Sequence, residues 1–143
     1  MNVIEYHEHS KLIPFYLSRD IEISEDEIPP TFSYIILEGE ELVGAVTVSE
    51  VEKTFIIQAI AISEKYAGQG IGTRFLKFTI EKIQEYNPKN IILNAKKTKI
   101  FENNGFEIID NASAPVDAYS YCFECPDYQV SCFPKIMQYK NGK

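Results

Sequence analysis

Apolar and polar residues along the chain fall into two rhythms. Between residues 32 and 63 the apolar positions come in strand-like runs. FSYIIL (32–37) and LVGAVTVS (42–49) are rich in β-branched residues, and Glu38-Gly39-Glu40-Glu41 joins them as a hairpin. TFIIQAIAIS (54–63) is apolar at successive positions, which predicts a strand covered on both faces. The period then lengthens. Ile71, Phe75, Leu76, Ile80 and Ile83 recur at helical spacing, so a helix is expected from about Gly70 to Tyr86. Asn87-Pro88 ends it. NIILNA (90–95) reads as a buried strand, KTKIFENNG (97–105) as a short helix closed by Gly105, and FEIID (106–110) as a further strand. AYSYCF (118–123) and KIMQYK (135–140) have strand composition and are separated by a loop containing Pro and Cys. Upstream, EHSKLIPFYLSR (8–19) predicts a short helix that Pro14 would break or kink, and SEDEIPP (24–30) is a loop. The resulting order is that of an α/β domain with a mixed sheet.

Size and composition narrow the class. A chain of 143 residues, 45% hydrophobic and 24% charged, is expected to form one globular domain over 1–143. Its longest apolar stretch, Phe55 to Ile62, is interrupted by Gln58 and is well short of the roughly twenty residues that span a membrane. The start MNVIEYHEH has neither the basic region nor the apolar core of a secretory signal, so a cytoplasmic protein is expected. The net charge of −7 argues against nucleic acid or an anionic membrane as partner. Its distribution adds something. Residues 1–52 carry twelve acids against Lys11 and Arg19, whereas residues 53–99 carry nine bases against Glu64, Glu81 and Glu85. Such asymmetry fits an anionic ligand on the middle block and a cationic one near the acidic start. Solvated faces account equally well for any single one of these charges.

The middle block also holds the sharpest motif, Gly68-Gln69-Gly70-Ile71-Gly72-Thr73, set between a buried strand and an amphipathic helix. Glycines there let backbone approach a ligand closely, and the amides of a first helical turn face the same space with the positive end of the helix dipole behind them. This is a cradle for phosphates; a tight strand-to-helix turn without a ligand is the plainer alternative. The spacing excludes two other phosphate loops. A dinucleotide fingerprint needs Gly or Ala where Thr73 stands, and a nucleoside-triphosphate loop needs Lys where Thr73 follows Gly72. A pyrophosphate held by amides remains, with Lys65, Arg74 and Lys77 nearby.

The run Ile60-Ala61-Ile62-Ser63-Glu64-Lys65-Tyr66-Ala67-Gly68-Gln69-Gly70-Ile71-Gly72 resembles the acetyl-CoA signature of the GNAT N-acetyltransferases, which ends in [QR]-x-x-G-x-[GA]. IFENNGFEII (100–109) is similar to the family's FYEKLGF segment, and with the upstream hairpin the resemblance covers about residues 30–110. It implies a GNAT fold: a central mixed, mostly antiparallel sheet, splayed at the acetyl-CoA site, with flanking helices. It also implies an N-acetyltransferase in which a small-molecule or peptide amine attacks the acetyl thioester directly within a ternary complex. The pantetheine would slot between strands 54–63 and 90–95, pairing near Ile60, Ala61 and Ile62. The pyrophosphate would rest on the loop from Ala67 through Gly68, Gln69, Gly70, Ile71 and Gly72 to Thr73, with Asn94 and Phe101 beside the cofactor. Two residues depart from the family pattern: Ala67 replaces the Arg or Gln that opens the loop motif, and Phe101 stands where many members place a tyrosine general acid. Phenylalanine has no proton to give a departing thiolate.

Glu50 and Glu52, at the start of the central strand, are candidates for taking the amine's proton, although both also read as solvated turn residues. Tyr34, Tyr119, Tyr121 and Tyr128 are candidates for the missing hydroxyl, and Tyr121 is taken with the two glutamates as the catalytic set. Cys122, Cys125 and Cys132 offer three soft ligands where structural zinc wants four. Idle thiols, a metal completed by His7 or His9, and an acetyl-accepting cysteine stay open, and no metal is expected. The histidines otherwise read as surface residues. The sheet edge and tail offer a surface for a homodimer. Two other functions compete with the transferase: an acyl-CoA-binding module without turnover, and a zinc-stabilised interaction protein built on the cysteines.

Overall fold

The fold is that of a computed structural model, described over residues 2–19, 21, 31–95, 99–109 and 135–139, without the side chains of 94, 95 and 135. Among the described residues seven strands form one sheet: β1 (Asn2–Tyr6), β2 (Phe32–Glu38), β3 (Glu41–Val51), β4 (Thr54–Ile62), β5 (Asn90–Ala95), β6 (Phe106–Ile109) and β7 (Lys135–Tyr139). Their order across the sheet is β1-β2-β3-β4-β5-β7-β6, and β4 with β5 is the parallel pair among antiparallel neighbours. The helices are α1 (Ile13–Leu17), α2 (Ile71–Gln84) and α3 (Lys99–Glu102), with short 3-10 turns at His9–Leu12 and Glu64–Tyr66. Among the described residues no helix is long and apolar enough to cross a membrane.

Two tight turns build the hairpins. Gly39, with φ +62°, turns β2 into β3. Glu52 and Lys53, with φ +52° and +72°, turn β3 into β4, the paired left-handed geometry that follows the twist of the strands. The four-residue linker read as Glu38 to Glu41 is thus a two-residue turn whose flanking glutamates already pair in the sheet.

The sheet separates two apolar layers. On one face Phe75, Leu76, Ile80 and Ile83 of α2 pack with Phe32, Val46, Val48, Phe55, Ile57, Leu93 and Phe106. On the other, Leu12 and Tyr16 pack with Ile35, Ala45, Ala59 and Ala61. β3 runs through the middle, buried from Val43 to Ser49. Pro14 does not break a helix here. The 3-10 turn hands over to α1 at Ile13, which puts Pro14 in the first helical turn, where its missing N–H leaves no bond unmade.

Two further expectations change. β1 was not foreseen; it lies at the sheet edge with Val3 and Ile4 exposed, so it lacks the half-buried alternation that marks a strand. His9 is not a free surface residue: its Nδ1 lies 2.6 Å from Ser33 Oγ. That contact opens a chain of hydroxyls, Ser33 to Thr47 at 3.0 Å and Thr47 to Tyr16 at 2.7 Å, which fixes α1 on the sheet. Burial holds the Tyr16 hydroxyl protonated far above the ordinary phenol range, offset in part by the Thr47 bond.

Candidate functional site

β4 changes character halfway along. With β5 it pairs only from Thr54↔Asn90 to Ile57↔Leu93, whereas with β3 it pairs as far as Gly44↔Ile62. β5 meanwhile pairs along its other edge with β7, from Ile92↔Gln138 to Ala95↔Lys135. From Gln58 onward, the β5-side edge of β4 therefore has no strand partner among the described residues. Its backbone donors and acceptors need partners from elsewhere.

A β-bulge lies at the same place. Thr47 and Val48 of β3 oppose Ala59 and Ile57 of β4, which leaves Gln58 as the extra residue. Its Nε2 donates to Ser49 Oγ at 3.2 Å. The extra residue also resets which side chains face which layer. Phe55 and Ile57 lie in the α2 layer before it, and Ile60 and Ile62 pack against that layer after it. A bulge bends and twists its strand, and here the bend coincides with the parting of β4 from β5.

The slot so opened leads to the glycine loop. After the 3-10 turn, Ala67 is extended, and Gly68 and Gly70 have φ of +81° and +79°. A Cβ at either glycine would meet nothing within 4 Å, so what these glycines supply is left-handed backbone and unobstructed access. Gly70 caps α2 without a side-chain bond, and the first bond inside the helix runs from Arg74 N to Gly70 O at 3.3 Å. The amides of Ile71, Gly72 and Thr73 precede it and stand at the positive end of a fourteen-residue helix. A Cβ on Gly72 would lie 3.6 Å from both Ile62 Cγ1 and Ile100 Cδ1, so the end of β4, the start of α2 and α3 converge there.

Predicted site residues fall into three groups. Ile60, Ala61, Ile62, Ala67, Gly68, Gln69, Gly70, Ile71, Gly72 and Thr73 follow one another along the open half of β4, the loop and the first turn of α2. Phe101, on α3, is half-buried against the large core, its ring edge-on to Phe106 at 6.0 Å. Glu50 and Glu52 are not brought to this site. Glu50 lies near the end of β3 and Glu52 in the β3–β4 turn, at the other end of β4, where Glu50 Oε2 accepts the Lys53 amide at 3.1 Å. Glu50 pairs with Phe55, three steps short of Gln58 where the open edge begins, which is roughly 10 Å at the rise of a strand and beyond direct hydrogen-bond reach. Tyr34 sits in an aromatic cluster, edge-on to Phe78 at 5.1 Å, its hydroxyl raised above the ordinary range mainly by burial. Tyr119, Tyr121, Tyr128, the three cysteines and the side chain of Asn94 lie outside the described residues. Among the described residues no cluster of His, Cys, Asp or Glu could hold a metal ion.

Sequence reading missed the bulge, treating 54–63 as one uninterrupted strand. The available signal was Gln58, the polar residue in that apolar run.

A family model described as the Acetyltransferase (GNAT) family matches residues 3–106, and the chain belongs to that family. Solved structures agree in fold. An acetyltransferase of the GNAT family from Staphylococcus aureus Mu50 superposes with a TM-score of 0.72 at 19% identity, over 99% of each chain. N-acetylglutamate synthase from Neisseria gonorrhoeae, complexed with coenzyme A and N-acetyl-glutamate, gives 0.72 at 17% identity, over 97% of this chain and 35% of that one. An acetyltransferase from Bacillus subtilis in complex with CoA gives 0.67 at 17% identity, over 97% of each chain. Comparison with curated protein sequences finds no match.

Proposed function

We propose that the chain transfers an acetyl group from acetyl-CoA to a primary amine, with both substrates bound together. The observation that carries this reading is the end of β4–β5 pairing at Ile57 and Leu93, in line with the uncapped start of α2. Family membership and the CoA-bound structures of similar fold support it.

Acetyl-CoA supplies an acyl group already activated as a thioester. The chain's part is to hold and polarise it. The amides of Gly68, Gln69, Gly70, Gly72 and Thr73 take the pyrophosphate, with the α2 dipole behind them. Arg74 and Lys77, exposed and without ion pairs among the described residues, add positive charge on the first turns of α2. The free edge of β4 from Ile60 to Ile62 pairs with the amides of the pantetheine. A backbone N–H on that edge faces the thioester carbonyl and stabilises the charge that develops as the amine attacks. Phe101 gives this region an apolar wall and no proton. Glu50 and Glu52 act, in this reading, only through water, because the strand separates them from the thioester.

Calorimetric titration with acetyl-CoA, and separately with desulfo-CoA, tests the donor site. Micromolar binding to both is expected. Gly70→Glu, which strains a left-handed position and puts a carboxylate in the cradle, should weaken it by about 100-fold. Turnover against a panel of primary amines then separates transfer from the second reading, an acyl-CoA-binding module without activity. That second reading is favoured by Phe101 and Ala67, the two departures from the family pattern. Binding without turnover of any amine would select it, and no binding would overturn both.

A further inference from the structure

The glycine loop is held from upstream by a contact that neither the family motif nor the donor-site reading uses. Glu41 begins β3 directly after the β2–β3 turn, far from the loop in sequence. Its carboxylate accepts Lys65 Nζ at 3.1 and 3.3 Å and the Tyr66 hydroxyl at 3.0 Å. Lys65 Nζ also lies 5.5 Å over the Tyr66 ring, and that ring packs half-buried against the large core. One carboxylate thus ties two successive residues, and the loop begins at the next one. The two charged groups respond to this contact: Lys65 and Tyr66 hold the Glu41 carboxyl below its ordinary range, and Glu41 holds the Lys65 ammonium above its own.

We propose that Glu41 is a positioning residue for the donor site, and that Lys65 is its strut and not a ligand to the phosphates of acetyl-CoA. The proposal rests on the donor-site reading above. Residues Ala67 to Gly70 then span two fixed points, Tyr66 on one side and α2 on the other. Ordering a free segment of this length would otherwise draw on the binding free energy, and part of that ordering is already done. It also divides the basic residues near the loop. Lys65 is engaged by Glu41, whereas Arg74 and Lys77 carry no ion pair among the described residues and remain for the phosphates.

A double-mutant cycle in acetyl-CoA affinity tests this, using Glu41→Ala, Lys65→Ala and the pair, with a melting curve for each. Glu41→Ala should weaken binding about 5-fold, Lys65→Ala by less because the Tyr66 bond to Glu41 remains, and the double variant no more than Glu41→Ala alone. Melting temperatures should stay within about 2 °C of the parent, as for other exposed ion pairs. Additive losses would overturn the proposal by making Lys65 a direct phosphate ligand. Tighter binding by Glu41→Ala would overturn it by showing that the carboxylate only repels the anion. A large fall in melting temperature would reduce the contact to general stability. If the parent protein itself fails to bind acetyl-CoA, the donor-site reading falls and takes this inference with it.

Discussion

The two halves of β4 are alike in composition and opposite in use. Thr54 to Ile57 are hydrogen-bonded into the sheet on both edges, whereas after the bulge at Gln58 the residues Ala59 to Ile62 are paired only with β3. Both halves are apolar, and both contribute side chains to the layer under α2. What separates them is one extra residue and the direction β5 takes afterwards. The first half is scaffold: its backbone groups are satisfied and its side chains fill the core. The second half keeps the same packing but has an edge that no strand covers among the described residues, which in a globular protein is either a liability or a binding site. Here that edge runs into a helix start whose amides are also uncapped, so the two sets of free donors form one continuous track.

Perturbing the closed half should cost stability and spare binding. Phe55→Ala removes a side chain that is 1% exposed, and should destabilise the fold by about 3–5 kcal/mol while the folded fraction binds acetyl-CoA normally. Denaturant unfolding and calorimetry at low temperature check both parts. Deleting Gln58 should do the reverse. Ile57 and Ala59 would then oppose Val48 and Thr47 as successive regular pairs, and every later side chain would keep its present face. The strand would straighten, with stability within about 1 kcal/mol of the parent and acetyl-CoA affinity reduced about 100-fold. Binding that survives the deletion would separate the bulge from the slot.

A smaller effect should come from the far face. Tyr16→Phe leaves the packing and removes the hydrogen bond to Thr47, which should cost about 1–2 kcal/mol. Its pH dependence has a definite sign. The Tyr16 hydroxyl ionises at higher pH in the folded chain than when unfolded, because burial disfavours the phenolate. Its contribution is therefore complete below about pH 10 and is lost progressively above it. Melting curves across that range should show the parent losing its advantage over Tyr16→Phe as pH rises. The smallest expected effect is at the β3–β4 turn. Glu52→Asn, at φ +52°, should stabilise by about 0.5 kcal/mol, since Asn tolerates left-handed backbone better than Glu. With Glu52 distant from the open half of β4, turnover should not change. A large loss of activity would bring that carboxylate back as a proton acceptor.

What could be read from the chain alone follows from how local each feature is. β2 to β5 and α2 are legible because burial imposes a period on their own residues; Ile71, Phe75, Leu76, Ile80 and Ile83 are all buried as their spacing predicts. The glycine loop is legible for the same reason, since left-handed backbone at Gly68 and Gly70 and a helix start are local demands. Features that depend on a neighbour are not. The bulge at Gln58 exists only relative to β3, and the parting of β4 from β5 only relative to a strand distant in sequence. β1 escaped notice because an exposed edge strand needs no apolar face. Glu50 and Glu52 adjoin the same strand, but Glu50 pairs with Phe55 and Glu52 lies in the β3–β4 turn, both along its closed half.

The central claim is that the second half of β4 binds the donor through its backbone, and amide hydrogen exchange measures that backbone directly. With saturating CoA, amides on the open edge of Gln58 to Ile62 and those of Ile71 to Thr73 should become protected, while Thr54 to Ile57 should not change because they are already paired. Calorimetric binding of CoA with unchanged exchange along Gln58 to Ile62 would contradict the account, and would place the ligand somewhere other than the slot that β4 and β5 open.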